Sequence, residues 1–356
     1  MKPVNYASYL PSAGAALEVA TATLPDPSSL ADDEIIIKNK AVAINPVDWK
    51  VRDSPPGNNR FGIKYPFILG EDVAGEVLHL GSGVKHLQTG DRVFAHALGL
   101  GAGDTAYGGF QLYVKLKAAT VAKIPDSISY ESAAVLPLSV STAAAGLYMN
   151  ATLALALPDV PTSSAPQSGS KGTLLLWGGS SSVGSSVVQL AVASGYSVVA
   201  TASPANYAFV KSLGASFVLD YHNPDIVGIL SALLRGGAGG PLVGAYDAIG
   251  SETTVRQCAA VVSSVGGLGK GRVASVGVAP DVKGVEVVRI GSTGIVSSEP
   301  AVAKRVWGEY LPVALEKGYL RPAPRESVVG TGLYYVQGAL DLNKRGVSAA
   351  KIVVSL

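Results

Sequence analysis

Residues 174–184 read Leu-Leu-Leu-Trp-Gly-Gly-Ser-Ser-Ser-Val-Gly, an apolar run that stops abruptly in glycine and serine. The next stretch, Val183 to Ala191, spaces its apolar residues as one face of a helix does. Small residues at a strand-to-helix turn suit one task in particular. Glycines let the backbone approach a pyrophosphate, and the first free N–H groups of the helix face its negative charge. No Asp, Glu, Lys or Arg occurs between Lys171 and Lys211, so a ligand here meets backbone N–H groups and hydroxyls. Gly179, Ser180, Ser181, Ser182 and Val183 are the candidate phosphate-binding residues. The competing reading is a structural turn with no ligand.

The elements around the loop favour a ligand. A second apolar run, Ser197 to Thr201, follows the helix. A helical stretch from Pro204 to Leu213 comes next, and then strands at 216–219, 243–248 and 272–277. Strands alternating with helices predict a doubly wound parallel sheet. The region before about residue 130 is different. Glu34 to Lys38, Asp72 to Leu78 and Asp91 to Phe94 are short strand-like runs among Gly and Pro turns, which suits an antiparallel β domain. Val302 to Lys317 reads as one amphipathic helix, and Val336 to Arg345 as another within a strand-containing tail. Pro158 to Lys171, rich in Pro, Ser and Gly, reads as a surface loop.

Composition narrows the function. The 356 residues suggest two domains, and 48% hydrophobic content can fill a core in each. A net charge of +2 without a dense basic cluster excludes nucleic acid as an expected partner. The single cysteine, Cys258, forbids an intrachain disulfide and a Cys-rich zinc knuckle, and its helical setting predicts a core thiol. Pro11 and Gly14 interrupt the N-terminal pattern, so no secretory signal is expected. Ala133 to Leu157 is uncharged and long enough to span a bilayer. Its Pro, Ser, Thr, Gly and Asn content and its unflanked ends predict a buried helix between two domains instead. A cytoplasmic protein without a membrane partner is expected.

A β domain, then a dinucleotide fold, then a returning tail resembles the medium-chain dehydrogenase/reductase superfamily across essentially the whole chain. The marks, in order, are Ala43-Ile-Asn-Pro-Val-Asp-Trp-Lys50, Leu69-Gly-Glu-Asp-Val-Ala-Gly75, Gly90-Asp-Arg-Val93, Gly178 to Gly184 and Lys351-Ile-Val-Val354. Within it the chain is similar to the zinc-independent fungal branch of quinone reductase-like proteins and enoyl reductases that act in trans with polyketide synthases. The resemblance implies a GroES-like catalytic domain at 1–132 and 303–356 and a Rossmann domain at 133–302.

Zinc-dependent members carry a Cys where this chain has Asn45 to Asp48, a Gly-His-Glu where it has Gly70-Glu71-Asp72, and a four-Cys lobe. All these ligands are missing, so no metal is expected. Glu71 and Asp72 could hold a hard cation, but adjacent acids read rather as a solvated turn or one paired with an Arg such as Arg92. Without a metal to acidify an alcohol, hydride addition to an already polarised C=C–C=O group is the favoured chemistry. Two residues carry it by resemblance. Lys50 matches an active-site lysine that could steady an enolate, deliver a proton or anchor the cofactor; otherwise it is a solvent lysine. Thr142 matches a threonine that could hydrogen-bond nicotinamide or a substrate carbonyl; otherwise it is a back-bonded helix threonine. Asn45 and Asp48 read as turn-shaping residues, and Trp49 as core or pocket wall.

NAD-binding folds place an acid at the end of the second strand to hold the ribose 2′-OH. Here that position reads Thr201-Ala-Ser203, and no acid occurs between Asp159 and Asp220. This favours NADPH. Ser203 and Asn206 can donate to its 2′-phosphate, although Lys211 is the only cation nearby. By resemblance Tyr221 lies beside the adenosine, Ser275, Val276 and Gly277 near the nicotinamide ribose, and Val47, Lys50 and Lys351 also at the cofactor. The leading expectation is an NADPH-dependent reductase of an enone or enoyl thioester, the latter free or on a carrier protein that Arg52, Arg60 and Lys64 could meet; otherwise these three charges are a solvated loop. An NADPH:quinone reductase and a non-catalytic NADPH sensor are the alternatives. Gly291 and Gly294 weaken the candidate dimer strand at 284–296, which leans towards a monomer.

Overall fold

The computed structural model describes residues 3–55, 57–58, 60–160, 170–266 and 271–356. They form two compact units, residues 1–138 with 315–356, and residues 139–314. Strands are numbered along the chain. The first unit opens with β1 (Asn5–Leu10), β2 (Glu18–Ala22), β3 (Glu34–Ala43), β4 (Phe67–Ile68), β5 (Asp72–Leu80), β6 (Arg92–His96), β7 (Tyr113–Lys117) and β8 (Val121–Lys123). The second holds β9 (Thr173–Trp177), β10 (Ser197–Ala202), β11 (Phe217–Asp220), β12 (Leu242–Asp247), β13 (Arg272–Ser275) and β14 (Glu286–Arg289). The chain returns to the first with β15 (Arg325–Thr331) and β16 (Ala350–Ser355).

In the first unit one sheet runs β15-β16-β3-β5-β6-β8 with β7 against β3, and a small sheet runs β2-β1-β4. Apart from the parallel β15–β16 pair, all these pairings are antiparallel. β3 is the hub. Its Ile35-Ile36-Ile37 run is buried on both faces, as β-branched residues in a central strand favour. Ile35, Ile37, Phe67, Val77, Phe110 and Ile352 share one core.

The second unit is a six-stranded sheet ordered β11-β10-β9-β12-β13-β14, with every neighbouring pair parallel. This is the strand order of doubly wound dinucleotide folds. β9 is buried along its whole length, as expected for a parallel strand covered on both faces. Leu175, Val199, Leu230, Ala245, Val262 and Val273 pack in its core together with Cys258, which is a buried thiol.

The uncharged stretch 133–157 contains the helix Pro137–Tyr148. Among the described residues no helix is long and apolar enough to cross a membrane. Most of the expected loop at 158–171, residues 161–169, lies outside the described residues. The helix expected over 302–317 is present as one unbroken helical run, Pro300–Ala303, Lys304–Tyr310 and Leu311–Glu316, whose middle stretch is π-helical. Pro312 has no N–H to give Gly308, and the Leu311 N–H donates five residues back, to Val306.

Candidate functional site

The second unit builds a cradle where its strand order reverses. β9 and β12 are neighbours, so the loops leaving their carboxyl ends lie side by side at the place where such sheets take ligands. After β9, Gly178 has φ +84°, and a Cβ there would lie 2.7 Å from the Ile249 side chain. A Cβ on Gly184 would lie 2.1 Å from the Gly178 carbonyl, so the loop folds back on the helix it starts. Gly178 and Gly179 donate to Thr201 Oγ1 and the Thr201 carbonyl at 3.0 and 2.8 Å, tying the loop to β10. Ser181 caps the helix Ser182–Ala193: its Oγ accepts the Gly184 N–H at 3.0 Å and donates to the Gly178 carbonyl at 2.8 Å. Ser182 Oγ is buried with no protein partner. Together with the N–H groups of the helix's first turn it offers donors to an anion.

At one end of this cradle Asn206 Nδ2 reaches Ser203 Oγ at 3.0 Å and Ser180 Oγ at 3.5 Å. Three residues from two segments, the loop after β9 and the turn after β10, thus form one polar cluster. Tyr221, just beyond β11, is 42% exposed. At the other end, loops after β12 and β13 are laced together. The Asp247 carboxylate accepts Ile249 N–H, Gly250 N–H and Thr254 Oγ1 at 3.0, 3.2 and 2.8 Å. Burial pushes its carboxyl above the usual range. Gly277 donates to Ser275 Oγ at 3.2 Å, Val276 N–H to the Asp247 carbonyl at 3.1 Å, and a Cβ on Gly277 would sit 2.0 Å from the Gly250 carbonyl. Thr142 lies on the helix Pro137–Tyr148, and its carbonyl accepts Tyr246 Oη at 2.8 Å. Sequence reasoning missed Asp247, although a strand ending in Asp with Gly three residues on is the signal of such a turn.

The cradle, the orphaned hydroxyl and the hydroxyl–amide cluster fit a dinucleotide. Gly179, Ser180, Ser181, Ser182, Val183, Ser203 and Asn206 lie together there; Ser275, Val276 and Gly277 follow β13 in the same unit. Val47, Lys50 and Lys351 belong to the first unit.

That unit holds a buried ionic cluster. Asp72 Oδ2 accepts Lys351 Nζ at 2.8 Å and Asn45 Nδ2 at 2.7 Å, and its Oδ1 accepts the Leu138 N–H at 2.6 Å. Lys351 also donates to Asn45 Oδ1. Asp48 Oδ2 accepts the Asn45 N–H at 2.8 Å, starting the helix Pro46–Arg52. Asp48 Oδ1 has no partner, and burial, with Glu71 and Asp72 adding like charge, pushes its carboxyl well up. Glu71 Oε2 lies 3.1 Å from His96 Nε2.

This corrects the reading of Glu71 and Asp72 as a solvated or Arg92-paired turn. Both are at most 4% exposed. Arg92 instead donates to the carbonyls of Pro125 and Ile128 and stacks on Tyr130. The Lys351 ammonium is spent on Asp72 and Asn45. Among the described residues no group of three or more His, Cys, Asp or Glu side chains is arranged to hold a metal ion.

Lys50 is exposed on the same helix, with Nζ 5.6 Å from the Trp49 ring. Partial burial, with the Arg60 charge, holds its ammonium below the ordinary lysine value. The helix beneath is fixed by Trp49 Nε1 on Asn343 at 3.0 Å and by Arg52 on Asp53 and Asp341 at 2.7 and 2.6 Å.

An antiparallel unit with a buried ionic centre and a doubly wound unit with a dinucleotide cradle define a two-domain oxidoreductase fold. Residues 31–126 match the alcohol dehydrogenase GroES-like domain and residues 182–311 the zinc-binding dehydrogenase domain. The chain is 41% identical to the trans-enoyl reductase himH of Aspergillus japonicus, over 91% of this chain and 90% of that one. It is 38% identical to the dehydrogenase pigH of Monascus ruber, over 99% and 100%. Among solved structures, the CurK enoyl reductase matches with TM-score 0.74 at 20% identity, over 99% of each chain. A mycobacterial protein, Rv1454c, complexed with NADPH, matches with TM-score 0.69 at 24% identity, over 99% of this chain and all of that one. The chain belongs to the medium-chain dehydrogenase/reductase superfamily.

Proposed function

We propose that the chain is an NADPH-dependent reductase of a carbon–carbon double bond conjugated to a carbonyl, with an enoyl thioester of fungal secondary metabolism as its substrate. The observation that carries this reading is the likeness to fungal trans-enoyl reductases along nearly the whole chain. The loss of metal ligands agrees with it, because conjugate reduction needs no metal-bound alkoxide.

When bound, the cofactor supplies hydride to the β carbon. The protein's part is to hold, orient and donate. The Gly178–Gly184 loop and the Ser182 helix would hold the pyrophosphate, Ser203, Asn206 and Tyr221 the adenosine end, and Ser275 to Gly277 the nicotinamide ribose. Val47 would line the cofactor as well. Negative charge then develops on the carbonyl oxygen, where a fixed donor is most useful. Lys50 donates there and supplies the proton that completes the α carbon; its lowered ammonium value makes the proton easier to give. Thr142 orients the substrate carbonyl or nicotinamide amide.

The test is NADPH oxidation against an α,β-unsaturated acyl thioester, a small alkenal and a simple quinone, with NADH in parallel. Thioester turnover with NADPH is the expected result. Turnover of the quinone alone would reassign the chain to quinone reduction. Tight NADPH binding with no turnover would leave a sensor.

A further inference from the structure

Ser203 and Asn206 offer a 2′-phosphate only neutral donors, yet a dianion is held best by a neighbouring cation. The nearest lysine in sequence, Lys211, is exposed on the following helix, Tyr207–Ser212. Sheet register brings a different group to this corner. β10 and β11 are parallel neighbours, with Ala202 opposite Asp220. The residues that leave the two strands, Ser203 on one and Tyr221 and His222 on the other, therefore emerge side by side, about 5 Å apart as adjacent strands are.

His222 is held in place by its two neighbours in the chain, Asp220 and Tyr221. Asp220 Oδ1 accepts its backbone N–H at 3.0 Å and lies 2.7 Å from its Nδ1. The Tyr221 ring packs against it, with centroids 4.1 Å apart and planes tilted by 33°. The hydrogen bonds from His222 hold the Asp220 carboxyl below its usual range, so the carboxylate accepts and Nδ1 carries the hydrogen. The imidazole remains 59% exposed, with Nε2 left for a ligand.

We propose that His222, oriented by Asp220 and Tyr221, is the side chain that reads the cofactor's 2′-phosphate and sets the preference for NADPH over NADH. This rests on the NADPH reading above. Protonated, the ring donates from both nitrogens, Nδ1 to Asp220 and Nε2 to a phosphate oxygen. NADH presents only a hydroxyl there and gains little from the charge.

Dissociation constants for NADPH and NADH, from nicotinamide fluorescence at one pH and ionic strength, test the assignment in the wild type, His222→Gln, His222→Arg and Lys211→Ala. Loss of one charge-assisted hydrogen bond predicts an NADPH affinity about tenfold weaker in His222→Gln, with NADH unchanged. His222→Arg restores the preference, and Lys211→Ala leaves it intact. The proposal is overturned if His222→Gln keeps the wild-type preference, if it weakens both nucleotides equally, or if Lys211→Ala alone removes the preference. A wild type that binds both nucleotides equally overturns the NADPH reading as well, which separates the two failures.

Discussion

The Asp72 carboxylate and the Lys351 ammonium meet at 2.8 Å, with Asp72 fully buried and Lys351 only 3% exposed. They lie on β5 and β16, on either side of β3, where Ala43 pairs with Asp72 on one flank and Val353 on the other. Asn45 bridges the pair and opens the helix that carries Lys50. A charge pair taken out of water thus fixes the backbone beneath the proposed proton donor.

Removing one partner from such a pair strands the other in a low-dielectric core. Lys351→Met is expected to cost about 3–5 kcal/mol of stability. Urea unfolding of the purified variant checks this, and a loss below about 1 kcal/mol would mean that the pair is solvated and does not organise the unit.

Lys50→Ala should lower kcat by about a hundredfold or more, the scale of a lost general acid, while NADPH affinity changes less. Because the ammonium is the active form, the wild-type rate should fall as pH rises, with a midpoint below the ordinary lysine value of 10.5. Lys50→Arg keeps the charge but holds its proton, so it should restore binding and not rate. An unchanged alkaline limb in Lys50→Ala would remove Lys50 from proton delivery.

Gly184→Ala places a Cβ 2.1 Å from a backbone carbonyl that cannot swing aside. The loop must open, and NADPH affinity should drop at least tenfold in a fluorescence titration, with the thermal midpoint falling too. Wild-type affinity in this variant would mean the cofactor does not rest on the Gly178–Gly184 loop.

Acid should unfold the first unit through Glu34. Burial alone would raise its carboxyl, but hydrogen bonds from Tyr107, the Ala31 N–H and Lys117, with the Lys115 charge, bring it down from 4.5 to about 2. A depressed carboxyl contributes stability that is present above its unfolded value and is lost as pH falls from about 4.5 through about 2. Denaturation curves between pH 6 and pH 2 should show this loss in the wild type and a flatter profile in Glu34→Gln.

The nucleotide unit was the more legible half of the chain. Its strands and helices follow one another in sequence, so Leu174 to Gly184 and the apolar runs after it announce both the elements and their order. The register that sets Tyr221 and His222 beside Ser203 is a different matter, because it appears only once β10 and β11 pair. The ionic cluster was not legible for the same reason. Asn45, Asp72 and Lys351 are brought together by β3, and nothing local distinguishes a buried Glu71-Asp72 from a solvated acidic turn. The π-helical stretch ahead of Pro312 was signalled by the proline, but the amphipathic pattern on both sides of it masked the signal.

The central claim is that hydride reaches the carbon β to a carbonyl and that the protein supplies the proton at the α carbon. The most direct test is isotope placement in the product of an enoyl thioester reduced with C4-deuterated NADPH in ordinary water, and with unlabelled NADPH in heavy water. Deuterium at the β carbon in the first case and at the α carbon in the second is the predicted result. Deuterium delivered to the carbonyl carbon, or an unreacted thioester beside a reduced quinone, would contradict it.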